Sequence, residues 1–554
     1  MNLENGFREK DIEETYECLN NILEKAGIEV TIDVEQKLEH VYSSRVKLRN
    51  IPLLGTNGKG ISEKASLVSG MAEFLERLQT FSLYKFKLPI SCLSSKYDFC
   101  YSPDEELHED NNGDFLNHNI LLSKKEIENR KILHIPFREI FGNRVVFMPA
   151  RTIDLCYATN GMASGNQYTE CYLQALCEIF ERYANLTVLK KQEALPTIPS
   201  DVIFNSDIRI AQIYKEILSI SDCKIIFKDA SLGKHLPVIM MIFIDKSIGK
   251  YFVKFASHPI LQVAALRLLT ELLQGRRLVA RGVWLQSFSL DEIENEKYNF
   301  NNIIRSGDGQ YPWHIFKETN SKPDLDVWIK NKNVNNSKMI AFIKDILLKN
   351  GWTAYTRNIG YLGFPTCHII IPGVSEVYDR KVIDSESNFM AMRELYKKAG
   401  KLSKKEGLLL ANFVIKSVKP EQSLNDFFGL LLKDTWRYKE EASIFFVIAM
   451  LLRNDERKRT LIEIEKYKRK DKNLLICRMI KQWIQLEAIG ECPGKVFDAI
   501  YKKEYIDKAK MLIYEPEKYL YAVTDFREMT YDSEVNQLHN KLQKYYFESG
   551  VKYE

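Results

Sequence analysis

The sequence predicts an α+β protein, with a core of mixed sheets and helices over residues 1–385 and an all-α domain over residues 386–554. Three observations carry that expectation. A Gly-rich stretch followed by a helix-compatible run with Glu-x-x-Glu-Arg occurs twice, which implies internal pseudo-symmetry. The first copy is GTNGKG (Gly55–Gly60) with MAEFLERL (Met71–Leu78); the second is ATNGMASGN (Ala158–Asn166) with LCEIFERY (Leu176–Tyr183). Strand-like runs alternate with helical periodicity as far as about Val382, and from about Asp384 the strand signals fade. A chain of 554 residues is also too long for one hydrophobic core, which sets two to three domains as the expectation.

Taken in order, Ile12 to Gly27 reads as an amphipathic helix with Ile12, Tyr16, Leu19, Ile22 and Leu23 on one side. A strand, IEVTIDV, precedes the first Gly-rich turn and its helix. The polar segment from Cys92 to Asn129 reads as an irregular insertion. RVVFMPA (Arg144–Ala150) is a strand entering the second Gly-rich turn, and CKIIFKDA and LPVIMMIFID are neighbouring strands. A helix is expected over Leu261–Leu278, another over Met339–Leu348, and a strand at HIIIPG. In the tail, NFMAMRELYKKA, LNDFFGLLLKDTWRY, ASIFFVIAMLLR and LLICRMIKQWIQLEAI read as helices. Paired antiparallel helices of tetratricopeptide-like type fit them, although no clean 34-residue signature is present.

Composition excludes several classes. The net charge of +5, from 79 basic and 74 acidic residues, makes no general case for nucleic-acid or membrane binding. The most apolar runs, from Leu236 and from Ala442, are too short to span a bilayer. Ten cysteines without a Cys-x-x-Cys pair read as reduced thiols in cytoplasm and argue against structural zinc. The polar, acidic amino terminus is unlike a secretory signal.

At helical spacing Glu73, Glu76 and Arg77 share one patch, and Glu178, Glu181 and Arg182 another. If the halves pack about a pseudo-twofold axis, four carboxylates and two guanidinium groups converge. A divalent metal with a polyphosphate would neutralise that cluster. A single Glu-x-x-Glu-Arg is ordinarily a solvated, salt-bridged face; two copies after Gly-rich stretches argue for more. A third element is AALRLLTELLQGRRL, which carries Arg267, Glu271, Gln274 and Arg276, the first three on one face of a largely apolar helix. Buried Arg and Glu need partners; a bound nucleotide and an internal ion pair are the two readings.

Gly58-Lys59-Gly60 fails the phosphate-loop pattern, because Leu53 holds the first Gly position and Gly60 follows the lysine. Phosphate contact by Lys59 and a plain tight turn both remain open. Ser164-Gly165-Asn166 reads either as a helix cap or as a ligand contact. His258-Pro259 and Cys367-His368 lack any surrounding nucleophile motif and read as core or turn residues. The basic run from Arg453 to Lys472 reads as the wet face of a helix.

At these residues the chain resembles the YcaO family of ATP-dependent backbone-modifying enzymes. The shared text is NGKG with AExxER, SGN with ExxxQxxxExxER, RxxxExxQxR and the late IIPG of Ile370–Gly373, over about residues 5–385. DASLG (Asp229–Gly233), TELLQGR, IPGVSEVY and the helical tail resemble the stand-alone bacterial subgroup associated with β-methylthiolation of a small-ribosomal-subunit protein. The resemblance implies a YcaO-type ATP-binding core with ATP and magnesium as cofactors. Glu73, Glu76, Glu178, Glu181 and Glu271 would bind magnesium. Arg77, Arg182, Arg267, Ser164, Asn166, Glu170 and Gln174 would contact or orient the nucleotide, with Gln274 and Arg276 nearby. Arg8 and Thr15 stand where the family often has a Lys and a Ser, so charge and hydroxyl are kept while identity is not.

The implied chemistry is phosphorylation of an amide or carboxyl-type oxygen. Azoline-forming members commonly end in a proline-rich tail; this chain ends SGVKYE and carries no zinc-bound partner domain, which favours the stand-alone class. The implied partners are a protein or peptide substrate, with a small-ribosomal-subunit protein and its radical methylthiotransferase as candidates, and a homodimer as a further option. Two other readings stand beside this one. One is tailoring of a peptide natural product to azoline, amidine or thioamide; the other is a nucleotide-binding scaffold without turnover.

Overall fold

The computed structural model describes residues 8–84, 100–102, 132–149, 152–220, 222–271, 278–279, 283–284, 288–290, 293, 296–307, 309–330, 334–378, 381–526 and 529–549. These residues form two compact units. One holds the chain up to residue 383 together with residues from 538 onward, and the other holds residues 384–537. The expected helical domain was to reach residue 554; instead its last stretch groups with the first unit.

In the first unit, helix α1 (Ile12–Lys25) begins where the Asp11 side chain accepts the Glu14 amide proton, and it buries Leu19, Ile22 and Leu23. Strands β1 (Val30–Leu38), β2 (Val41–Leu48) and β3 (Gly55–Gly60) make an antiparallel sheet in that order. Helix α2 (Glu63–Gln79), capped by Ser62, returns across it. Next come β4 (Cys100–Ser102), β5 (Ile132–Glu139), β6 (Val145–Pro149) and β7 (Met162–Ser164), and then helix α3 (Tyr168–Lys191). Of the expected insertion, only β4 lies among the described residues.

After α3 the chain forms β8 (Thr197–Ile198), helix α4 (Ile208–Ile220), and strands β9 (Cys223–Asp229), β10 (Val238–Asp245) and β11 (Lys250–Ser257). These strands pair antiparallel in the order β11-β10-β9-β8. Strand β10 is apolar from Val238 to Ile244 because both its faces are covered: Met240, Met241, Ile242 and Phe243 are fully buried. Helix α5 follows at Leu261–Glu271, with residues 272–277 outside the described set. Two short strands, β12 (Leu278–Val279) and β13 (Val283–Trp284), pair with each other, and helix α6 spans Asn336–Lys349. The last strands, β14 (Tyr355–Asn358) and β15 (Thr366–Ile370), complete a further sheet, ordered β4-β5-β14-β15-β7 with β6 on β5.

The closing helix of the chain, Asp532–Glu548, contributes its second half to this unit. There the Lys541 ammonium donates to the Gly27 carbonyl at 2.7 Å and the Tyr545 hydroxyl to the Lys25 carbonyl at 2.9 Å, at the end of α1. The Tyr84 hydroxyl lies 3.0 Å from Nδ1 of His539.

Among its described residues the second unit is helical, with Lys404–Ser417, Ser443–Arg453, Lys472–Ala488, Lys503–Tyr514 and Pro516–Val523 among its segments. Phe445, Ile448, Met450 and Ile480 are fully buried in its core. The expected helix LNDFFGLLLKDTWRY is cut short to Leu424–Phe427, because Gly429 takes a left-handed φ of 62° and ends it. No helix among the described residues is long and apolar enough to cross a membrane.

Candidate nucleotide and metal site

The first Gly-rich stretch is a strand, which corrects the expected turn. In β3, Tyr42 pairs with Gly60, Ser44 with Gly58 and Val46 with Thr56. Its glycines serve close packing: a Cβ on Gly58 would sit 2.0 Å from the Ser66 carbonyl oxygen and 2.5 Å from the Gly70 nitrogen. One on Gly60 would sit 2.6 Å from the Ser66 nitrogen. Helix α2 therefore lies directly on the strand backbone. Because strand side chains alternate, Thr56, Gly58 and Gly60 face α2 while Asn57 and Lys59 face the other way. Lys59 thereby reaches α5, where its ammonium is paired with Glu271.

The second stretch is also part strand. Gly161, at φ 80°, turns the chain into β7, where Ser164 pairs with Thr366 and Ala163 with Cys367. Gly165 leaves room for Glu170, whose Cγ would lie 2.9 Å from a Cβ there. The Glu170 carboxylate accepts from the Asn166 amide nitrogen at 3.1 Å, from its side-chain nitrogen at 3.2 Å and from the Glu9 amide at 3.4 Å. The Thr15 hydroxyl approaches Asn166 Oδ1 at 3.2 Å and the Asp11 carbonyl at 2.7 Å. Ser164 donates to the Ala72 carbonyl of α2 at 2.8 Å. The structural unit that repeats is thus a strand followed by a helix, and the two copies touch.

On α2, Arg77 lies 3.5 Å from Glu73 and 3.4 Å from Glu76; on α3, Arg182 lies 2.9 Å from Glu178 and donates to the Ile304 carbonyl at 3.1 Å. Glu76 is buried, and its Oε1 accepts no hydrogen bond. Burial pushes its carboxyl up to about 8, with Arg77 opposing and Glu73 and Glu178 adding. Glu178 comes from the second copy, so the two acidic helices sense each other. Burial likewise pushes Glu181 up to about 7, against Lys59 and Arg182. The Lys59 ammonium is drawn down to about 8 by burial, against Glu181, with Arg267 and Lys254 adding.

Helix α5 closes the group. Arg267 donates to Oε1 of Gln174 on α3 and, at 3.3 Å, to the Ser257 carbonyl. Burial lowers the Arg8 guanidinium below its ordinary value, with Glu170 opposing, and its buried NH1 makes no hydrogen bond. Hydrogen bonds, ion pairs or the fields of neighbouring charges relate Arg8, Thr15, Lys59, Glu73, Glu76, Arg77, Asn166, Glu170, Gln174, Glu178, Glu181, Arg182, Arg267 and Glu271, and Ser164 joins through the Ala72 carbonyl. Gln274 and Arg276 lie outside the described residues. His258 and His368 are buried core residues, as expected.

Two cations escaped the sequence reading. Arg45, on β2, donates to Asn57 of β3 at 3.2 Å and lies within the field of Glu73. Lys254, on β11, donates to the Gly307 carbonyl at 3.2 Å and adds its field to that on Lys59. Only strand pairing reveals the first, since Arg45 is the register partner of Asn57.

The donors suit a hard divalent ion bound with a polyanion. Carboxylate oxygens match Mg2+, and Glu76 Oε1, which has the Arg77 ion pair but no hydrogen bond, and Arg8 NH1 are a buried acceptor and a buried donor that such ligands would satisfy. The carboxylates do not form a ready cage. Among the described residues only Glu39, His40 and Glu216, elsewhere in the chain, bring three ligand atoms within 4.8 Å of one another. In the site, Arg77 holds Glu73 and Glu76, Arg182 holds Glu178, and Lys59 holds Glu271.

A sheet-and-helix fold carrying this acid–base network suits a protein that binds a metal ion together with a polyanion. The family model described as YcaO cyclodehydratase, ATP- and Mg2+-binding, matches residues 57–375. The chain belongs to the YcaO family. It is 29% identical over 378 residues to the ribosomal protein S12 methylthiotransferase accessory factor YcaO of Escherichia coli, covering 63% of this chain and 62% of that one. It is 30% identical over 375 residues to an uncharacterized protein of Haemophilus influenzae, covering 64% and 62%. The chain thus spans less than two thirds of the length of these relatives. Similar solved structures include a heterocyclase in complex with substrate and cofactor, with TM-score 0.47, 14% identity and coverage of 68% of this chain and 54% of that one. YcaO from Methanopyrus kandleri bound with AMPPCP and Mg2+ has TM-score 0.44, 15% identity and coverage of 68% and 94%.

Proposed function

We propose that this chain is an ATP- and magnesium-dependent enzyme that phosphorylates the oxygen of an amide or carboxyl-type group. Its role in this reading is accessory to β-methylthiolation of a small-ribosomal-subunit protein, alongside a radical methylthiotransferase. The observation that carries it is Glu76: a buried carboxyl whose Oε1 accepts no hydrogen bond, ion-paired with Arg77 and within the field of Glu178 from the second repeat. The Escherichia coli relative's description supports the finer assignment.

An amide carbon is a poor electrophile because its oxygen leaves badly. Bound Mg2+–ATP supplies the phosphoryl group that makes that oxygen a leaving group. Such transfer needs in-line placement and charge neutralisation more than a protein nucleophile. Glu73, Glu76, Glu178, Glu181 and Glu271 would hold magnesium. Lys59, Arg77, Arg182 and Arg267 would face the phosphates, each exchanging its present carboxylate or amide partner for phosphate oxygen. Arg8, Thr15, Ser164, Asn166, Glu170 and Gln174 would orient the rest of the nucleotide.

The test is the mass of the ribosomal protein from cells with and without this chain, together with ATP turnover by the purified protein. Loss of the methylthio mass increment in its absence is the expected result. An unchanged mass removes the ribosomal assignment while leaving ATP use to be judged by turnover.

A further inference from the structure

We infer that Gln79 is a positioning residue that fixes the first acidic helix against the segment opening the second; this rests on the nucleotide-site reading above. Gln79 is the last residue of α2, three positions after Glu76, and it is fully buried. Its Nε2 donates to the Phe364 carbonyl at 2.9 Å and to the Thr366 hydroxyl at 2.7 Å, and its Oε1 accepts from the Leu362 amide at 2.9 Å. A primary amide has two N–H donors beside a carbonyl acceptor, and here both donors and the oxygen are engaged.

What Gln79 grips is the connection between β14 and β15, and that connection holds the second repeat from its other side. The Pro365 carbonyl accepts from the Gly165 amide at 3.0 Å and from the Cys171 thiol at 3.2 Å. Thr366 is the register partner of Ser164. Two ties therefore set α2 relative to the start of α3. One is direct, from Ser164 to Ala72; the other runs from Gln79 through residues 362–366 to Gly165. The Gln79 tie touches none of the proposed ligands and the other engages Ser164 alone, yet Glu73 and Glu76 lie between the two on α2, and Asn166 and Glu170 lie just beyond the second. A metal-bridged nucleotide held by both helices requires that spacing to be kept.

Other side chains at position 79 lack this reach. Asn is one methylene shorter, Glu cannot donate, and Met leaves the Leu362 amide without its acceptor and the Phe364 carbonyl with only the Thr366 hydroxyl at 3.3 Å. Groups that hydrogen-bond metal ligands directly typically change metal affinity by about 10- to 100-fold when removed; Gln79 stands one step further out, so the lower end of that range is the expectation.

The experiment is titration calorimetry of a non-hydrolysable ATP analogue with Mg2+ on the full chain, comparing wild type, Gln79→Met, Thr366→Val and Thr366→Ser. Expected is a Kd raised about 10-fold or more in Gln79→Met. Thr366→Val should show a smaller rise and Thr366→Ser, which keeps the hydroxyl, none. A purely structural role would lower the binding stoichiometry and the melting temperature while leaving the Kd of the folded fraction unchanged, and that result overturns the inference. If Gln79→Met does not fold, the Thr366 pair decides by the same criterion. Wild type that binds no analogue would instead remove the nucleotide reading itself.

Discussion

The Ser164 hydroxyl donates to the Ala72 carbonyl at 2.8 Å, bonding the strand that opens the second repeat to the helix of the first. Residues 92 apart in sequence thereby bring two Glu-x-x-Glu-Arg helices together, and the electrostatic consequences follow from that approach.

Stability without ligand should fall as pH rises from about 5 to 8. The folded-state carboxyls of Glu76 and Glu181 are raised to about 8 and about 7. Between the ordinary carboxylate range and those values the folded state binds more protons than the unfolded one, so deprotonation destabilises it. Lys59, lowered to about 8, contributes the opposite slope, and only above that pH. Thermal melts in chelator-treated buffer at pH 6, 7 and 8 check this; a midpoint flat or rising over that range would contradict it.

Glu76→Gln should separate stability from binding. Burial disfavours the ionised form of Glu76, so a neutral amide there, with Arg77 keeping Glu73, should raise the ligand-free stability at pH 8, on the order of 1 kcal/mol. ATP turnover should drop at least about 100-fold, as when a preorganised electrostatic group is lost. Urea denaturation and a phosphate-release assay on the same preparation measure both.

Gly58→Ala should be costly although it adds a single methyl group. The new atom would meet backbone of α2, at the Ser66 oxygen and the Gly70 nitrogen, as well as the Ser44 hydroxyl, and the backbone atoms cannot swing aside. A loss of about 1–3 kcal/mol, the usual range for overpacking, is expected in urea titration. Nucleotide affinity should fall with it.

Glu271→Leu should cost less than about 1 kcal/mol in stability, because its pair with Lys59 is partly exposed to solvent. Analogue affinity should nevertheless weaken, since α5 then presents one carboxylate fewer. Calorimetry beside chemical denaturation distinguishes the two effects.

Much of this was legible because helices announce themselves by spacing. Glu73, Glu76 and Arg77, and their counterparts on α3, are placed by a 3.6-residue period alone. The glycine-rich stretches were not legible as strands. Residues 55–60 carry hardly any apolar alternation, and their pairing with β2 and packing under α2 are tertiary facts. Gln79 escaped for a different reason: its partners lie 283 to 287 residues onward, and a lone glutamine at a helix end carries no pattern. In the tail, apolar runs were enough to find Ser443–Arg453 and Lys472–Ala488. They overstated the segment after Leu424, where one glycine outweighed the periodicity.

The path of the closing helix has a practical outcome for dissecting the gene. A stop codon near position 385 would delete Lys541 and Tyr545, which cap the carbonyl end of α1, and His539, which meets Tyr84. The shortened product would begin its life with a raw flank on the very half one wished to isolate. A deletion of the intervening helices that splices residue 538 back on through a flexible joint is the cleaner surgery.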